Sequence, residues 1–124
     1  MTTWHSTYEL IGGDDWLIPA TLLDEAGIPI DLTGSQILWT LTDDAGQRYV
    51  EAADYTVTTP DAVAGKCQIE VLAAKTTTIR AGRFTDSFRI VAADGASITP
   101  LMGLVQVAAD PWRVAGGYQF SNVA

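Results

Sequence analysis

The chain has 124 residues, 48% hydrophobic and 18% charged, the size and composition of one globular domain that buries its core without disulfides or metal. Its formal charge of -8 comes from 15 acidic against 7 basic residues, and the basic residues form no run, which excludes the clustered Lys and Arg that nucleic acids and anionic membranes require. Cys67 is the single cysteine and His5 the single histidine, so no intrachain disulfide is possible and few partners exist for a catalytic nucleophile.

Taken in chain order, the hydrophobic pattern has period two between turns. Residues 1–13 carry Trp4 and Tyr8, close on Gly12-Gly13, and read as an N-terminal arm or edge strand, with strand character over Thr7 to Ile11 and His5 in a flexible part. Asp15 to Leu23 is the next strand, followed by the turn Asp24-Glu25-Ala26-Gly27. Gln36 to Thr42 alternates cleanly, with Ile37, Trp39 and Leu41 inward, and ends at the turn Asp43-Asp44-Ala45-Gly46. Strands are also expected at Gln47 to Ala52 and Tyr55 to Thr59.

Lys66 to Val71 places Cys67, Ile69 and Val71 on one face, and Leu72 to Ile79 is the one stretch with room for a short helix. Arg83 to Ile90 puts Phe84, Phe88 and Ile90 inward, then Asp94-Gly95 turns the chain into Ser97 to Ala108. Residues 110–124 form an aromatic tail with Trp112, Tyr118 and Phe120. About seven to eight strands with Gly-closed turns read as an all-β antiparallel sandwich over residues 14–109.

The inventory of reactive groups is thin. Cys67 has inward parity and reads as a small buried hydrophobe, and no nucleophile elbow, phosphate-binding glycine loop or dinucleotide fingerprint occurs. Asp14-Asp15, Asp24-Glu25 and Asp43-Asp44 lie in or beside turns, where Asp caps its own backbone, and converging Asp side chains would instead hold calcium. No catalytic residue, cofactor or metal ligand is therefore assigned. Asp86 breaks the inward pattern of its strand and is the candidate buried polar group, expected to accept hydrogen bonds from backbone amides or Thr hydroxyls near a strand end.

Leu23-Asp24-Glu25-Ala26-Gly27-Ile28-Pro29-Ile30-Asp31-Leu32-Thr33-Gly34, followed by Ile37-Leu38-Trp39-Thr40-Leu41, resembles the immunoglobulin-like domains of tailed-phage baseplate and tail proteins, such as the N-terminal domain of upper baseplate proteins. Ala81-Gly82-Arg83-Phe84, after Thr76 to Ile79, is similar to the lead-in to the penultimate strand of those domains. Against antibody-type domains the same segment departs, with Phe84 where a tyrosine is expected and Asp86 where a cysteine is expected.

The resemblance covers roughly residues 14–109 and implies an immunoglobulin-like β-sandwich that serves as a non-catalytic structural protein of a phage or prophage virion, assembled in the bacterial host cytoplasm; Met1 to Leu10, with no positive cluster before an apolar stretch, reads as no signal peptide. Its expected partners are neighbouring virion subunits, including copies of itself, and not nucleic acid or membrane. Trp4, Tyr8, Trp112, Tyr118 and Phe120 are the candidate interface residues. A carbohydrate- or calcium-binding sandwich module is the alternative reading.

Overall fold

In the computed structural model, which describes residues 2–111, 113–114 and 117–118, seven strands form two sheets. In chain order these are β1 (Thr3–Ile11), β2 (Trp16–Thr21), β3 (Gln36–Thr42), β4 (Tyr55–Asp61), β5 (Lys66–Val71), β6 (Gly82–Val91) and β7 (Ser97–Ala108). One short helix, α1 (Ala73–Thr76), lies between β5 and β6, and a two-residue ladder, β8 (Arg113–Val114) with β9 (Gly117–Tyr118), follows β7.

One sheet has the order β1-β7-β6-β3 and the other β2-β5-β4. All pairings are antiparallel except that of β1, which runs parallel to β7. The second, fifth and fourth strands thus face the third, sixth and seventh, which is the strand distribution of the immunoglobulin sandwich. The chain is an immunoglobulin-like β-sandwich.

The sheets close on each other because the alternating residues of each strand point inward. Trp16 and Ile18 of β2, Ile69 and Val71 of β5, Ile37, Trp39 and Leu41 of β3, Phe84, Phe88 and Ile90 of β6, and Val105 and Val107 of β7 form one buried cluster. Burial of such side chains contributes roughly 1.5–3 kcal/mol each before the entropy of ordering is set against it. Loop residues Leu22, Leu32, Val50 and Ile79 seal the cluster.

The turns follow the sequence closely. Gly27 and Gly46 take φ of 79° and 80°, the left-handed region that glycine enters without steric cost. Asp24 Oδ1 accepts from the amides of Ala26 and Ile28, and Asp43 Oδ1 from those of Ala45 and Gln47.

Two expectations are corrected. Gln47 to Ala52 does not form a strand: it makes an isolated bridge from Arg48 to Thr42, and then residues 52–54 turn into a 3-10 helix. The Asp54 carboxylate accepts from the Glu51 amide at 2.7 Å, and this capping pair pulls the backbone out of the extended path. The N-terminal strand is also longer than Thr7 to Ile11. It begins at Thr3, so His5 lies in β1 and not in a flexible arm. Its alternation is hidden from sequence inspection because the register with β7 shifts between His5 and Tyr8.

Candidate functional site

Asp86 sits in the middle of β6, paired with Leu41 of β3 on one side and Gly103 of β7 on the other, and is 0% exposed. A carboxylate in that position is stable only where donors replace its hydration. Tyr8 donates its hydroxyl to Oδ2 at 2.7 Å and Trp39 donates Nε1–H to the same oxygen at 3.2 Å. His5 Nε2 lies 2.5 Å from Oδ1.

The hydrogen-bond roles in this cluster follow from its geometry. His5 Nδ1 is 2.7 Å from the Ser6 carbonyl oxygen, which only accepts, so the ring is held between that carbonyl and the Asp86 carboxyl. Burial, followed by the Asp86 charge and its hydrogen bond, raises the Tyr8 hydroxyl pKa far above its ordinary value and keeps it a donor.

Two backbone features bring the donors to Asp86. Between the pairs His5–Gly103 and Tyr8–Val105, Ser6 and Thr7 stand opposite the single residue Leu104. That bulge turns both His5 and Tyr8 inward, although residues three apart on a regular strand point to opposite faces. Gly103 supplies the space: a Cβ there would overlap the His5 ring. The glycine is therefore a notch in the inner face of β7, and the imidazole fills it.

The candidate interface residues separate in the structure. Trp4, 59% exposed, pairs with Met102 on the outer face beside the open edge of β1, where Ile11 and Leu104 are also exposed. Tyr8 turns inward and its hydroxyl is engaged by Asp86, so it does not share the outer surface with Trp4. Trp112 and Phe120 lie outside the described residues, and Tyr118 is described only as backbone, in β9.

The expectation for Asp86 is corrected in its partners. They are the side chains of His5, Tyr8 and Trp39 and not backbone amides or Thr hydroxyls, because the residue lies at mid-strand, where the backbone amides are taken by the ladder. Sequence reasoning missed His5 and Gly103. The signal for the second was present: a lone glycine inside Leu101-Met102-Gly103-Leu104-Val105 marks a close approach.

The other acidic residues serve the fold. Asp15 Oδ1 accepts from the Ala73 amide at the start of α1, and Asp94 Oδ1 from the Ala96 amide. Among the described residues no three His, Cys, Asp or Glu converge as a metal site. Cys67 is 2% exposed, and burial pushes its thiol up to about 11.

No protein-family model matches this chain, and no curated protein sequence matches it. Among solved structures it is similar to murine CRIg, at 11% identity and a TM-score of 0.42, over 88% of this chain and 96% of that one. It is also similar to part of a family 123 glycoside hydrolase from Clostridium perfringens, at 14% identity and a TM-score of 0.31. That match covers 83% of this chain but 23% of the hydrolase. The strand order, and not these likenesses, assigns the fold.

Proposed function

We propose that this chain is a non-catalytic assembly domain of a phage tail, baseplate or related virion part, acting through subunit-subunit contacts and assembled in the bacterial host cytoplasm. The observation that carries the assembly role is the open edge of β1 with Trp4 beside it. β1 pairs with β7 on one side and with no other strand among the described residues, and Trp4 stands 59% exposed on its outer face. Unpaired strand edges and exposed aromatic side chains are the features through which sandwich domains add neighbours. The virion setting rests on the resemblance of residues 14–109 to phage immunoglobulin-like domains. The engagement of Asp15, Asp24, Asp43 and Asp94 in backbone caps supports a role that needs no acid-base pair.

Light scattering of the full chain over a concentration series tests the assembly role. A defined oligomer is expected, and Trp4→Ser weakens it by about tenfold, the usual effect of truncating one interface aromatic. A chain that remains monomeric at millimolar concentration overturns the reading.

A further inference from the structure

The notch at Gly103 and the carboxylate of Asp86 form a receptor, and β1 is the strand that fills it. We propose that β1 exchanges between two copies of this chain, each seating its His5 and Tyr8 against Asp86, Trp39 and Gly103 of the other. The proposal rests on the assembly reading and names its partner as a second copy.

Four features favour exchange. β1 is held by one neighbour, β7, in a parallel pairing that a bulge interrupts. None of its nine residues is fully buried, and of its apolar side chains Tyr8 and Leu10 alone pack partly against the core. The pivot is placed at Gly12, whose buried amide donates to the Ala108 carbonyl at 3.0 Å and would leave it with the strand. Immediately beyond it the chain is clamped, because Thr76 Oγ1 accepts from the Gly13 amide at 3.0 Å and donates to the Asp14 carbonyl at 2.7 Å. The body of the domain therefore keeps its attachment while the strand swings.

The fourth feature is selectivity. With β1 withdrawn, Asp86 retains the Trp39 indole as its side-chain donor among the described residues, and a carboxylate opened in that state is costly. Refilling the site takes a strand that carries an imidazole and a phenol at the spacing of His5 and Tyr8, with a bulge between them. β1 of a second copy carries both side chains at that spacing with that bulge, and is the occupant proposed. A reciprocal exchange remakes every bond of the closed form in a two-fold dimer, and concentration and the pivot then set the balance between the two.

Trp4 and Met102 are cross-strand partners, which gives the test. Full chains carrying Trp4→Cys are mixed with full chains carrying Met102→Cys at millimolar concentration and mildly oxidised, Cys67 being buried and out of reach. Exchange yields a mixed disulfide dimer in severalfold excess over a mixture in which Leu17→Cys replaces Trp4→Cys. Leu17 on β2 is 59% exposed, as Trp4 is, so the control reports random collision.

Equal yields from the two mixtures overturn the exchange. If light scattering of the parent chain then shows an oligomer, the assembly reading stands with another interface. A strict monomer removes both.

Discussion

At the scale of single residues, a carboxylate survives in a hydrophobic face because three side chains from two other strands of its sheet converge on it. His5 and Tyr8 come from β1 and Trp39 from β3, and the imidazole fits only because Gly103 has no side chain. The coupling between His5 and Gly103 is measurable by a double-mutant cycle. Removing the donor in His5→Ala is expected to cost about 2–3 kcal/mol, and Gly103→Ala, which drives the ring from its notch, about 2 kcal/mol. The double variant should cost at least about 1 kcal/mol less than the sum, because an alanine at 103 fits once the ring is gone and also lowers the entropy of the unfolded chain. Urea unfolding supplies all four free energies. Strict additivity would mean that the ring and the notch do not meet.

At the scale of elements, the turn after β3 shows how one acidic residue organises a connection. Asp43 Oδ1 holds the Ala45 and Gln47 amides, while Oδ2 accepts from the Tyr49 hydroxyl and lies 3.6 Å from Arg80. The Gln47 amide, with smaller contributions from Tyr49, Ala45 and Arg80, holds the Asp43 carboxyl below the ordinary 3.8, against a partial desolvation. A depressed carboxylate stabilises the fold fully above its unfolded pKa and ceases to do so as pH falls through the folded value. Asp43→Asn should therefore flatten the fall in stability below the ordinary 3.8 while keeping the turn's acceptor, as a series of thermal melts in acid would show. A parent-like acid profile would remove Asp43 from that role.

The elements also show where periodicity is legible. β3, β5 and β6 are readable to within a residue because alternate side chains along each of them are buried in the core, whether the strand is central or, like β3, at a sheet edge. Gln47 to Ala52 was misread because a capping pair, not hydrophobic pattern, sets its path. The first half of β1 was missed because its bulge cancels the alternation that inspection relies on.

At the scale of the whole molecule, the two sheets enclose Cys67, and its thiol reports on opening of the core. Its folded pKa of about 11, against 9.0 for a free thiol, means that the thiolate favours the unfolded chain. That contribution to stability is complete below pH 9 and disappears as pH rises to about 11. Cys67→Ala should accordingly lose less stability than the parent over this alkaline interval. At neutral pH, alkylation of Cys67 should follow the rate or extent of unfolding. Fast labelling of the folded chain would contradict its enclosure.

Alternation, turn glycines and the absence of a disulfide framework are local or compositional properties, and from them the sequence alone determined a single sandwich of short strands with Trp39, Phe84 and Phe88 inside. The same reasoning marked Asp86 as an inward carboxylate. Its partners were decided only by tertiary structure. His5 and Tyr8 are 81 and 78 residues away in the chain, and they arrive by a parallel pairing of the first strand with the last long one and by a bulge in the register. Neither leaves a period in the sequence, because both depend on which edge of the finished sheet remains open to receive the strand.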